Sequence, residues 1–303
     1  MESSVITRIM IPFAIVFIMF GLGLSLTPGD FKRVWTQPVA MSLGIVLQII
    51  GLPVLGFVFV LVLGLGPVPA AAVMLLSACP GGAIANLVSF VSKGDVALSV
   101  SLTAVNSLIT AVSLPAVVAL SLRYFMGDEV ASGVNVLKLS LGTITIIIPP
   151  MLIGMLTRKR APVFARNSEK WVRKLTIIFL VMVASFASYR ERQTILDNYR
   201  ELTMVAVALC VLSAGMGCIA GSLIRLPRRQ TLTIAIEVGL HNSAMGIVVA
   251  VSLLGMPALA VFPAFYLLVE YTLSGILMVV MNGPIGKSIM GVEYGLPHDP
   301  NAC

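Results

Sequence analysis

Hydrophobic residues in this chain fall into long runs, not into an alternating or amphipathic pattern. Nine runs are long enough to cross a bilayer, at about residues 5–26, 37–63, 67–93, 95–122, 134–157, 171–189, 202–224, 228–254 and 258–282. About 20 apolar residues suffice for one helical crossing. Turn residues separate the runs: Pro28-Gly29-Asp30, Gly64 to Pro67, Lys93-Gly94-Asp95, Gly127-Asp128-Glu129 and the Gly255/Pro257 pair. The pattern predicts an all-α polytopic membrane protein with nine transmembrane helices.

Two runs are interrupted near their centres, by Cys79-Pro80-Gly81-Gly82-Ala83-Ile84-Ala85-Asn86 and by Glu237-Val238-Gly239-Leu240-His241-Asn242-Ser243. In lipid every backbone N–H and C=O needs a partner, so an unwound stretch at that depth survives only inside protein or beside a water-filled cavity. Paired interruptions in corresponding positions of two halves point to a secondary transporter's binding site. The halves do correspond. Runs 5–26, 37–63, 67–93 and 95–122 match 171–189, 202–224, 228–254 and 258–282 at an offset of about 160 residues. Matched runs are an odd number of crossings apart, which predicts an inverted repeat with two broken helices crossing at mid-membrane. Run 134–157 has no partner, as in a five-plus-five plan lacking its first helix.

Composition narrows the class. Of 303 residues, 58% are hydrophobic and 11% charged, against about 25% charged in soluble domains. The formal net charge of +7 reads as membrane topology and not as nucleic-acid binding. In the nine-span plan fourteen Lys and Arg lie on one side, with Arg158, Lys159, Arg160 and Arg228 among them, and six on the other. That asymmetry predicts an outside N-terminus and a cytoplasmic C-terminus in a bacterial inner (plasma) membrane. The first run is long and lacks a small-residue cleavage site, so it reads as a span and not a signal peptide. Cys79, Cys210, Cys218 and Cys303 form no CxxC pair, so neither a disulfide framework nor a zinc site is indicated. No nucleophile–base pair is visible either, and the chain is not expected to be an enzyme.

The candidate chemistry clusters around the interruptions. Glu237 is an intramembrane carboxylate with no Arg or Lys at matching depth, which marks an ion or substrate path. It ends a half-helix, where free carbonyls carry partial negative charge, so a cation is the natural guest. Asn86 and Asn242 follow the two breaks, as caps or as binding residues at half-helix N-termini suited to an anion. Ser99, Thr103, Asn106, Thr110 and Ser113 are spaced 4, 3, 4 and 3, along one helical face, where they glue helices together or bind an ion. Gln48 is the strongly polar residue in run 37–63. Glu270, flanked by Tyr266 and Ser274, is either a second acid on the substrate path or a helix–helix hydrogen-bonding residue.

These motifs, together with Gly94-Asp95-Val96-Ala97-Leu98-Ser99-Val100-Ser101-Leu102-Thr103, resemble the bile acid:sodium symporter family over about residues 5–285. The resemblance implies one membrane domain over 1–303. Its core part would be 37–122 and 202–282, and a panel part, 5–26 and 134–189, would move against it. It implies one sodium site at Asn86, Ser99, Thr103 and Glu237. A second would use Gln48, Glu237 and the backbone around Val238 and Leu240, with His241 nearby. The substrate would lie by Ala83, Asn242 and Glu270, with Tyr271 and Thr272 facing it. Two positions depart from the family's usual residues: Ala85 stands where Ser precedes the first Asn, and His241 where Gln precedes the second. An imidazole titrating near pH 6.5 lets a proton stand in for one sodium.

The expectation is therefore a sodium-coupled symporter of a small organic anion (bile-acid-like, pantoate-like or a keto acid) working by alternating access. One or two Na+ would be the coupling ions, with membrane lipid and no obligate protein as further partner. The alternatives are proton coupling through Glu237 and His241, and a membrane protein that binds a ligand without moving it.

Overall fold

The computed structural model describes residues 2–165 and 192–283 with isolated positions between them, and the backbone alone at 2–12, 14, 83 and 194. The run expected at 171–189, part of the expected panel, lies mostly outside the described residues. Every described regular element is a helix. Five are long and apolar enough to cross a membrane: Pro38–Leu63, Val96–Met126, Val136–Arg160, Ile195–Leu223 and Pro257–Asn282.

Helix α1 (Glu2–Ser25) stops where Thr27 and Asp30 form a reciprocal cap, with the Thr27 N–H and hydroxyl both donating to Asp30 Oδ2 at 2.7 and 2.8 Å. Helix α2 (Pro38–Leu63) contains a π-helical turn at Leu47–Gly51 and ends at Gly64, whose φ of +60° is the left-handed conformation of a helix C-terminus. The first interrupted run folds as α3 (Pro67–Ser77) and α4 (Ala83–Val91). Helix α5 (Val96–Met126) is capped by Asp95, whose carboxylate accepts from Leu98 N–H at 3.0 Å. Then come α6 (Val136–Arg160) and α7 (Arg192–Leu223). Helix α7 starts well before the expected 202, with a non-helical residue at Asn198. The second interrupted run folds as α8 (Arg228–Gly239) and α9 (Ser243–Leu253), and α10 (Val261–Asn282) closes the described chain.

The two breaks cross and pair. Gly82 N–H donates to Leu240 C=O at 3.1 Å, and Asn242 N–H donates to Pro80 C=O at 2.8 Å, with Gly81 opposite His241 in an antiparallel bridge. Neighbouring groups take up the remaining carbonyls. Gln48 Nε2 donates to Cys79 C=O at 2.9 Å, and the Tyr266 hydroxyl donates to Gly239 C=O at 3.0 Å. Each break thus supplies partners for the other. Without them the cost in a water-free interior would be roughly 1–3 kcal/mol per unsatisfied group.

Helices α1 and α6 make the other tight contact. A side chain at Gly154 would run into Phe20 C=O and come within 2.8 Å of Leu24 N, and one at Gly23 would strike Met151 C=O. Small residues let the two backbones approach this closely, as at many membrane helix interfaces. Arg158 ties the same ends together through Nη1 to Leu24 C=O at 2.8 Å. Gly154→Val is expected to force the pair apart and destabilise the protein by about 1–3 kcal/mol. The check is a lower melting temperature in detergent, and an unchanged one would show that the interface yields freely.

Candidate functional site

Glu237 sits in the last turn of α8, 1% exposed. The polar face of α5 turns toward it: Ser99 Oγ donates to Oε2 at 3.0 Å and Thr103 Oγ1 to Oε1 at 2.5 Å. Thr103 Oγ1 also lies 3.0 Å from Ser99 C=O and 3.4 Å from Asn86 Oδ1. One hydroxyl proton faces three acceptors, so oxygen lone pairs outnumber donors in this cluster. Asn86 therefore points at the cluster and does not cap α4, whose N-cap residue Gly82 has no side-chain bond. Asn242 does cap: its Oδ1 accepts from Met245 N–H at 3.1 Å. Among the described residues the one ion pair joins Arg123 to Asp128, and no Lys or Arg neutralises Glu237. Gly81 closes the cluster, since a Cβ there would overlap Glu237 Oε1 and lie 2.8 Å from Cδ.

The residues of the expected second ion site gather less completely. Gln48 is turned inward by the π-helical turn, where the extra residue shifts the helical register. It bonds the first break and not Glu237, and its Oε1 is buried without a partner. The carbonyl of Leu240 is engaged by Gly82 N–H. Val238 is fully buried. His241 Nδ1 lies 3.0 Å from Tyr266 Oη. That hydroxyl also lies 3.0 Å from Gly239 C=O, so it bridges the ring and the end of α8, and the tautomer of His241 decides which ring nitrogen accepts. Nε2 is buried with no partner.

Beside these groups lies a cavity of about 550 Å³. Its walls come from α1, α4, α5, α9, α10 and the end of α6. Asn86, Thr103, His241, Asn242, Glu270 and Tyr271 all line it, as does Arg158. Ser243 Oγ donates to Glu270 Oε1 at 3.2 Å, while Glu270 Oε2 has no partner. Thr272 does not join them: it is exposed, with its hydroxyl bonded to Leu268 C=O at 2.8 Å. The Ala83 side chain lies outside the described residues. Sequence reasoning treated Tyr266 only as a neighbour of Glu270 and Arg158 only as topology. The signal for Tyr266 was its place one turn before Glu270. For Arg158 no local signal exists, because its contact with Leu24 spans 134 positions.

A sequence model described as "Sodium Bile acid symporter family" matches residues 12–198. That stretch contains the first break and the polar face of α5, while Glu237 lies beyond it. The chain is 29% identical over 247 residues to a probable chloroplastic sodium/metabolite cotransporter of Oryza sativa subsp. japonica, covering 82% of this chain and 59% of that protein. It is 27% identical over 261 residues to the uncharacterized sodium-dependent transporter YocS of Bacillus subtilis (strain 168), covering 85% and 78%. It is 24% identical over 246 residues to the human ileal sodium/bile acid cotransporter, covering 80% and 69%. The chain thus spans 59% of the length of the plant relatives it matches.

Tyr266→Phe removes the hydroxyl that bonds both Gly239 C=O and His241 Nδ1. A loss of about 1–3 kcal/mol is expected, and clearly less when His241 is already Phe. A double-mutant cycle of thermal unfolding measures this, and strict additivity would show that the two side chains do not act as a unit.

Proposed function

Because the chain belongs to the sodium bile acid symporter family, we propose that it is a sodium-coupled symporter of a small organic anion, of the bile-acid, pantoate or keto-acid kind, working by alternating access. The observation that carries the reading is the oxygen cluster at Glu237: a carboxylate, two hydroxyls and an amide oxygen with no cationic side chain among the described residues. Hard cations take such oxygen ligands. Sodium bound there supplies the missing positive charge and holds α4, α5 and α8 in one arrangement. Gln48 Oε1 and His241 Nε2, both buried without partners, support a second ion at the crossing when the His241 proton sits on Nδ1.

The reading extends to the architecture. Two breaks of matching design, crossing in opposite directions, support nine spans in an inverted repeat, with a core over 37–122 and 202–282. The close α1–α6 pair supports a panel over 5–26 and 134–189 that moves as a body. Sodium binds first in this scheme. The anion then enters the cavity toward the half-helix N-termini, where free N–H groups favour negative charge. The basic ends of α6 and α8 support a cytoplasmic location for that side of the protein.

The test is melting temperature in sodium against choline, followed by uptake into proteoliposomes. Sodium at a hundredfold excess over Kd stabilises the folded protein by about 2.7 kcal/mol. That rise is expected to vanish in Glu237→Gln and to shrink in Asn86→Ala, with sodium-driven uptake lost in both. An unchanged sodium response in both variants sinks the site. Uptake that follows a proton gradient and ignores sodium replaces the coupling ion with a proton, and binding without uptake makes the protein a receptor.

A further inference from the structure

The two half-helix N-termini at the crossing are not equivalent. At α4 the N-cap is Gly82, which has no side chain, and Gly82, Ile84 and Asn86 line the cavity. Gly82 N–H is engaged by Leu240 C=O and Ala85 N–H by Gly82 C=O, so what α4 offers an incoming anion is the amides of Ala83 and Ile84. At α9 the end is already served. Asn242 caps it, and the carboxyl group of Glu270 accepts from the hydroxyl of its first residue, Ser243. The protein has placed its own carboxyl group where a second anionic group would otherwise sit.

Glu270 is 2% exposed, lines the same cavity, and leaves Oε2 without a partner. A purely structural Glu on a helix interface would have both oxygens bonded, because a buried, unpaired carboxylate oxygen is costly. No Lys or Arg pairs with it among the described residues. Among the described residues the cationic side chain lining the cavity is Arg158, which already bonds Leu24 C=O. Oε2 is thus open to a donor carried by the solute. A simple anion, and a keto acid above all, would bring another acceptor against Oε2.

We propose that the solute is a zwitterion, a small amino acid whose carboxylate meets the α4 N-terminus and whose ammonium donates to Glu270 Oε2. This rests on the sodium-coupled transport reading above and narrows its solute, replacing the keto-acid option with an amino acid, because it names the chemistry at the second end of the solute. A charge-assisted bond from N–H to a buried carboxylate is the strong class of hydrogen bond. Arg158, at the α6 end of the cavity, favours entry carboxylate-first.

The experiment uses the full-length purified protein in sodium and four probes on one skeleton: valine, 2-hydroxy-3-methylbutyrate, 3-methyl-2-oxobutyrate and 3-methylbutyrate. A second set, β-alanine, 3-hydroxypropionate and propionate, varies the spacing of the two ends. Affinity is read from the sodium-dependent shift in melting temperature. In the wild-type protein the amino member of at least one set is expected to bind about tenfold tighter than its hydroxy counterpart, with the keto and unsubstituted acids weaker still. Glu270→Gln, of the same shape, is expected to erase the preference for ammonium over hydroxyl. If the keto or unsubstituted acid binds as well as the amino acid, or if no amino member binds while sodium itself still stabilises, the zwitterion inference is overturned and the transport reading stands. If sodium alone gives no stabilisation, both fall. The wild-type ranking decides the matter even if the variant fails to fold.

Discussion

The crossing of the two breaks depends on backbone hydrogen bonds that neither half could make alone. Gly82 and Leu240, and Asn242 and Pro80, exchange partners across the contact. In a bilayer interior, where water does not serve as the fallback partner, an unwound segment persists only if such exchanges exist. Much else follows from that pairing. It sets Gly81 against the carboxyl of Glu237 and brings the starts of α4 and α9 to one cavity. It also places the carbonyl ends of α3 and α8 beside Gln48 and Tyr266, which bond them. A side chain larger than hydrogen at Gly81 would open the crossing or displace the acid, so the Pro-Gly-Gly stretch does more than turn the chain.

Around that crossing the polar groups are arranged with an excess of acceptors. Ser99 and Thr103 supply two protons to a cluster of carboxylate, carbonyl and amide oxygens. His241 adds a buried ring nitrogen, Nε2, without a partner, beside the contact of its Nδ1 with Tyr266. Buried acceptors without donors are destabilising in the protein alone. Their concentration at one place, between α4, α5 and α8, is the arrangement a cation would stabilise.

The two interrupted runs are similar in plan and different in chemistry. Asn242 is itself the N-cap of its half-helix, while Asn86 lies four residues past the N-cap Gly82 and turns to the acid cluster. Glu270 stands at one N-terminus and has no counterpart at the other. These differences give the cavity two unlike ends, so a bound solute has a preferred direction.

The long apolar runs by themselves determined that this is a helical membrane protein, and the Gly, Pro and Asp positions between them placed most helix ends within a few residues. The mid-run position of Pro80 and His241 was enough to locate both breaks, because Pro and Gly there interrupt a helix that the apolar run would otherwise continue. The spacing of Ser99 and Thr103 was enough to put them on one face. What tertiary structure alone decided is where those faces point. Asn86 is a non-capping residue because α4 starts at Ala83, three residues before it, and its side chain meets Thr103 of α5 instead. Thr272 is turned outward because Glu270 and Tyr271 take the inward positions on α10. Gln48 faces the first break because a π-helical turn shifts its register. Arg158 belongs to the cavity because α1 and α6 pack backbone to backbone through Gly23 and Gly154. The common reason is physical: periodicity is a local property of one helix, while hydrogen-bond partners across 130 or more positions are set by how helices cross.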